Sequence, residues 1–181
     1  MSPKDIPFKL NRAQRRVLNK LEKLRKAGKP IKFILLKARQ WGGSTLVQIY
    51  MTWIMLVHRR NWNTVICGDV ETQSRNVRAM ITKALNKYPS YLLGETVKFT
   101  PFEGSSKNKV IQNTNCVVSI GSFQKPDTLR SGDISGAHLT EIGLWRATPG
   151  KKPEDLIQSI SGSIYDTAYT ILGLESTAKG V

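Results

Sequence analysis

The chain is poor in the residues that staple or metallate small proteins. Its 181 residues include only two cysteines, Cys67 and Cys116, and two histidines, His58 and His138. Those counts and spacings support neither a disulfide framework nor a Cys/His zinc site. Both cysteines fall inside expected strands, which suits small buried residues in a reducing compartment. Long apolar runs are also missing. The longest, Leu46 to Val57, falls short of the roughly 20 residues of a membrane span and reads as a buried helix. The first residues carry charge but no apolar signal core, so neither secretion nor membrane insertion is expected. Acidic residues are scarce, 13 Asp and Glu against 28 Lys and Arg, which leaves a net charge of +15. Solubility needs a much smaller charge. The excess favours a polyanionic partner, held through phosphate contacts and counterion release.

What is present is enough for one buried core. Hydrophobic residues make up 40% of the chain, and its length suits a single domain. Asn11 predicts a cap for a helix over 12–27, with Val17, Leu18, Leu21 and Leu24 on one face and Lys and Arg on the other. A first core strand is expected over Ile31 to Lys37, a mostly apolar helix over 44–59, a short strand over 64–68 and a helix over 71–87. Short runs at 97–100, 110–112 and 116–121 predict a small β excursion. A loop over 121–136, an apolar run over 137–145, a helix over 151–160 and a last strand over 168–174 complete the chain. Strands alternating with helices predict a three-layer α/β fold with a mostly parallel central sheet, whose ligands gather at the carboxyl ends of the strands.

The first such end carries the most informative segment. Residues 37–45 read Lys37-Ala-Arg39-Gln40-Trp41-Gly42-Gly43-Ser44-Thr45. A strand that runs into two glycines, two hydroxyl residues and an apolar helix is a phosphate cradle. Without a Cβ, Gly42 and Gly43 let backbone N–H groups converge on an anion. Ser44 or Thr45 can offer a hydroxyl to Mg²⁺ at the positive end of the helix. In the G-x-x-x-x-G-K-[ST] pattern a lysine precedes that hydroxyl. Here Gly43 holds its place, and Lys37 is the substitute from the other end of the loop. An ordinary Gly-Gly turn is the competing reading.

About a hundred residues downstream, Glu141 closes the run Ala137-His138-Leu139-Thr140. A carboxylate there can polarise a water for in-line attack on a γ-phosphate. An aspartate usually precedes it; Thr140 stands there instead and can still hydrogen-bond the hydration shell of Mg²⁺, without charge. Gln14 can grip adenine through both faces of its amide, or be a solvated helix residue. Arg130 in Leu129-Arg130-Ser131-Gly132 can stabilise transition-state charge in a neighbouring subunit, touch DNA phosphate, or be solvated. Ser176 and Thr177, ending the last strand, can sense the γ-phosphate or form a plain turn.

In this order the motifs resemble the N-terminal ATPase domain of the large terminase subunit of tailed double-stranded DNA bacteriophages. Gln14 is similar to the family's adenine-binding glutamine. Residues 37–45 resemble its deviant Walker A, in which the lysine opens the loop and Arg39 occupies a recurrent arginine position. Residues 138–145 resemble its Walker B, and Glu175-Ser-Thr-Ala-Lys-Gly180 its coupling motif. Arg130 falls where some members carry an arginine finger. The resemblance implies a P-loop NTPase fold of the ASCE type over residues 1–181, with the family's nuclease domain absent from the chain. It also implies ATP and Mg²⁺ as cofactors and a homo-oligomeric ring on the procapsid. The expected partners are double-stranded DNA, the portal protein and the small terminase subunit, in the host cytoplasm with no membrane contact. The rival expectations are a degenerate P-loop module that binds DNA without hydrolysis, a helicase-like translocase and a basic DNA-binding scaffold.

Overall fold

The computed structural model describes residues 8–69, 71–100, 108–125 and 133–178. Helix α1 (Arg12–Lys26) leads into strand β1 (Ile31–Lys37), helix α2 (Gly43–Trp53) and a π-helical turn over Ile54–His58. Then come β2 (Thr64–Gly68), α3 (Glu71–Asn86), the single turn α4 (Ser90–Leu93), β3 (Asn108–Ile111), β4 (Cys116–Ser122) and β5 (Gly136–Thr140). A 3₁₀ turn over Ile142–Leu144, α5 (Pro153–Gly162) and β6 (Ile171–Thr177) follow. The described strands form one sheet in the order β1-β6-β5-β2-β4-β3. All pairings are parallel except β3 against β4. The expected α/β class with a mostly parallel sheet is therefore the observed one.

Period-two alternation divides the sheet into two faces. Ile31, Phe33, Ile171, Ile66, Val118 and Ile120 face one way, into a core closed by Leu21 of α1, Met51 and Ile54 from the α2 helix and turn, and Ile81 and Leu85 of α3. Val65, Cys67, Ala137 and Leu139 face the other way and pack on Leu156 and Ile160 of α5. The result is helix, sheet, helix. Gly173 of β6 has no room for a side chain, since an added Cβ would sit 2.4 Å from the Phe33 ring. That close approach keeps β1 and β6 in tight lateral register.

Some boundaries differ from the sequence reading. The helix expected over 44–59 is α-helical only to Trp53, then widens into a π turn that packs its buried Ile54, Met55 and Leu56 into the core. Within the apolar run 137–145 the strand ends at Thr140, where Glu141 was expected to close it; Glu141 takes a left-handed backbone (φ 56°) and turns the chain. The last strand covers 171–177 rather than 168–174; Thr167 to Thr170 instead form a turn closed by the Thr170 hydroxyl on the Thr167 carbonyl. The stretch 97–100 contributes a single bridge, Phe99 to Ile111. Among the described residues no helix is long and apolar enough to cross a membrane.

Candidate functional site

Parallel register brings the carboxyl ends of β1, β6 and β5 side by side. Lys37 lies across from Thr177, and Thr140 across from Glu175. Two contact groups form on this rim, both beside the start of α2.

The outer group is Lys37, Glu141 and Thr177. The Lys37 ammonium donates to Glu141 Oε1 at 2.8 Å and to Thr177 Oγ1 at 3.3 Å. Thr177 in turn donates its backbone N–H to Glu141 Oε2 at 3.0 Å and its hydroxyl to Oε1 at 2.9 Å. Ser176 Oγ accepts from the Gly143 N–H at 3.1 Å, so the two expected coupling residues hold both ends of the Glu141 turn. The left-handed backbone of Glu141 costs roughly 1 kcal/mol for a side-chain-bearing residue. Its carboxylate contacts offset that cost. Burial pushes the Glu141 carboxyl up, but the Lys37 ammonium and the Thr177 N–H and hydroxyl outweigh it, and the net direction is down. The carboxylate is ionised and fixed.

The inner group is Ser44, Thr140, His138 and Glu175. Glu175 has no exposed surface. Its Oε1 accepts from the Ser44 hydroxyl and, at 2.7 Å, from the Thr140 hydroxyl. His138 Nε2 lies 3.4 Å from the same oxygen, a close electrostatic contact outside good hydrogen-bond geometry. Among the described residues, Glu175 Oε2 and both His138 ring nitrogens have no hydrogen-bond partner. Burial raises the Glu175 carboxyl, yet His138, Ser44 and Thr140 together bring it down to about 2. The carboxylate thus stays charged inside the protein.

The loop between β1 and α2 is held from the side by α1. Asn11 and Gln14 form a reciprocal capping box, with both bonds at 2.9 Å. Gln14 also donates to the carbonyls of Trp41 at 3.3 Å and Gly42 at 3.0 Å, and Asn11 Nδ2 donates to Trp41 O at 3.0 Å. Gly42 sits at φ 80°, and an added Cβ would lie 2.6 Å from Gln14 Nε2. Gly43 begins α2 under the Trp41 ring and the Lys37 stem. Helix α2 starts with no side-chain cap, so its first amides keep their N–H groups for another acceptor.

The structure thus brings together Lys37, Glu141, Thr177 and Ser176, and separately Ser44 and Thr140. Gln14 is 4% exposed and both ends of its amide are engaged with Asn11 and the loop, so it anchors the cradle in this state. Arg39 and Gln40 are exposed on the loop, and Thr45 is half-buried one residue beyond the hydroxyl that reaches Glu175. Arg130 lies outside the described residues. Glu175 stands in the sequence as the first residue of the stretch likened to a coupling motif, with no role of its own assigned to it there. Its signal is a carboxylate directly after the apolar run Ile171 to Leu174, on a strand beside the one that ends in Thr140.

A mostly parallel α/β sheet with a glycine loop at one strand end, a glutamate at the end of a strand two places away and a third strand between them is the arrangement of an ASCE-type P-loop fold. The chain carries the fold of large-terminase ATPase domains. It superposes on the large terminase of HK97 bacteriophage with a TM-score of 0.73 at 22% identity, over 97% of this chain and 35% of that one. A mutant of the Thermus phage P74-26 large terminase ATPase domain aligns with a TM-score of 0.61 at 13% identity, over 96% of this chain and 67% of that one. Another structure of the P74-26 ATPase domain aligns with a TM-score of 0.55 at 14% identity, over 84% and 60%. The chain therefore spans about a third of the length of the HK97 protein. Neither a protein-family model nor a curated protein matches the sequence.

Proposed function

We propose that the protein is an ATP-hydrolysing motor domain of the large-terminase type, which drives double-stranded DNA into a procapsid. One observation carries the reading. Lys37, from the opening of the glycine loop, meets Glu141 and Thr177 on a single strand-end rim beside the uncapped start of α2.

The residues divide the chemistry as follows. The loop amides, Lys37 and Arg39 bind the phosphates of ATP, and Gln14 stands where it can exchange its loop contacts for adenine. The Lys37 ammonium pairs with the Glu141 carboxylate at 2.8 Å. A triphosphate competes for the ammonium, draws Lys37 towards its β and γ oxygens, and frees the carboxylate. Glu141 then accepts a proton from the attacking water as that water approaches the γ-phosphorus. Thr177, bonded to both Lys37 and Glu141, registers the exchange and passes it along β6. Mg²⁺, when bound, neutralises charge on the β- and γ-phosphates. The donor set fits it, because Ser44 and Thr140 are oxygen donors and hard cations take oxygen ligands, with phosphates supplying the remainder. Ser44 is favoured over Thr45 as the contacting hydroxyl, since it is the one joined to the inner carboxylate.

The structural likeness to packaging proteins and the +15 charge support a DNA partner contacted through phosphates, without base reading. By the same reading residues 1–181 are the ATPase domain. It works in a ring at the portal vertex with the small terminase subunit, and Arg130 is supplied to a neighbour.

Steady-state phosphate release from ATP tests the assignment. Glu141→Gln is expected to lower turnover by about 10²-fold or more, while affinity for a non-hydrolysable ATP analogue stays within roughly threefold. Equal rates for variant and wild type would favour a DNA-binding P-loop module that no longer hydrolyses ATP. The Gly43 and Thr140 departures are what motivate that second reading.

A further inference from the structure

The Walker B position that normally carries a carboxylate is Thr140, yet the rim does not lack a buried carboxylate. We propose that Glu175, reaching across from the neighbouring strand β6, takes over the charge and the orienting bond that an aspartate at position 140 would supply. It thereby acts as the positioning residue for Mg²⁺ with ATP. This inference rests on the nucleotide-binding reading above.

Three observations carry it. First, Glu175 and Thr140 are register partners on adjacent parallel strands, so a longer side chain on β6 delivers its carboxylate over the same spot that a shorter one on β5 would reach. Second, the Ser44 hydroxyl gives its proton to Glu175 Oε1. A hydroxyl whose proton is so committed turns its lone pairs outward, which is what an oxygen ligand to a hard cation requires. Thr140 also donates to that oxygen, so it lends its proton to the carboxylate rather than replacing it. Third, Glu175 has no exposed surface, and its second oxygen, Oε2, has no hydrogen-bond partner among the described residues. A buried carboxylate with an unused oxygen is costly to keep for packing alone. Leucine, as at Leu172 and Leu174 on the same strand, would fill the space without that cost. His138, 3.4 Å from Oε1, helps keep the carboxylate charged but leaves Oε2 without a partner.

Outer-shell partners of a metal site change metal affinity by about 10–100-fold when removed, and the test reads that quantity. Binding of a fluorescent non-hydrolysable ATP analogue is measured with Mg²⁺ and with EDTA, for wild type, Glu175→Gln, Glu175→Asp and the swap Thr140→Asp/Glu175→Gln. Thermal melts check that each variant folds. In wild type, Mg²⁺ is expected to tighten binding. In Glu175→Gln that gain should shrink by about 10-fold or more, with the EDTA affinity unchanged. Glu175→Asp keeps the charge and the best prospect of folding, but its shorter reach loses the Ser44 bond, and an intermediate loss is expected. The swap should restore the Mg²⁺ gain, which a purely structural role for Glu175 would not predict. A full wild-type Mg²⁺ gain in Glu175→Gln, or in Glu175→Asp if the glutamine variant does not fold, overturns the inference and leaves the ATPase reading intact. No binding of the analogue by wild type, with or without Mg²⁺, overturns both.

Discussion

Gly42 and Glu141 show how single residues set the rim. Both sit in the left-handed backbone region, one with no side chain and one with the side chain that matters. At Gly42 the conformation lets the chain leave β1 and start α2 within five residues, and the Gln14 amide fills the space a Cβ would need. Gly42→Ala therefore strains the backbone and displaces Gln14. The expected outcome is a loss of about 1–3 kcal/mol of stability and at least 10-fold weaker analogue binding, read by thermal melts and calorimetry. At Glu141 the same conformation turns the carboxylate back onto Lys37 and Thr177 instead of letting it continue along the strand. The residue types at these positions were legible in the sequence, because a glycine pair and a strand-end acid are local signals. The pairing of Lys37 with Glu141 rested on bringing together positions 104 residues apart, so it could only be argued from the fold class. Glu175 was read only as the start of a coupling-like stretch; its bonds to Ser44 and Thr140 depend on the register with β5, which leaves no local pattern.

Among the elements, α1 and α2 are joined by a polar peg rather than by apolar contacts alone. Glu22 takes a two-pronged pair with Arg25 at 2.7 and 2.8 Å and accepts from Tyr50 at 2.8 Å. The Arg25 guanidinium then lies over Trp53 and Tyr169. Arg25, against the opposing effect of burial and with help from Tyr50, holds the Glu22 carboxyl below its ordinary value of 4.5. A carboxyl lowered in the folded state contributes stability that is complete above its unfolded value and is lost as pH falls through its folded value. Wild type should therefore lose stability more steeply than Glu22→Gln as pH falls below the ordinary glutamate value of 4.5, in melts at matched ionic strength. Parallel curves would remove Glu22 from this role. The amphipathic pattern of α1 and its Asn11 cap predicted the helix correctly to within a residue. The π turn after α2 was invisible, because widening a helix by one residue per turn leaves the apolar composition unchanged; packing of Ile54, Met55 and Leu56 selects it. The end of β5 at Thr140 was legible, because Glu141 closes the run there. Ile142, Leu144 and Trp145 continue the apolar character, but they serve a 3₁₀ turn and the Trp145–Phe123 stack.

For the whole molecule, alternation of strands and helices was enough to predict three layers and a mostly parallel sheet, since few topologies satisfy right-handed crossovers. Strand order was not legible, because it depends on which faces each helix covers. Observed order places β6 between β1 and β5, and this puts Ser176 and Thr177 between the glycine loop and Glu141. The charge also acts at this scale. Arg15, Arg16, Lys20, Lys23 and Lys26 all stand exposed on α1. A backbone-directed DNA interaction should show no preference among unrelated duplex sequences. Its affinity should fall by about 10³-fold or more between roughly 50 and 200 mM salt if six or more phosphates are neutralised. Fluorescence anisotropy with two duplexes of different sequence measures both. Salt-insensitive binding would argue that the charge serves another purpose.

On the proposed function, Lys37 serves the triphosphate and exchanges its Glu141 contact for phosphate oxygens. A crystal structure with Mg²⁺ and a non-hydrolysable ATP analogue reads this directly. In that complex Lys37 Nζ is expected within hydrogen-bond reach of β- or γ-phosphate oxygens, about 2.7–3.2 Å, and separated from the carboxylate it contacts at 2.8 Å. Phosphates bound with the Lys37–Glu141 pair unbroken would contradict it.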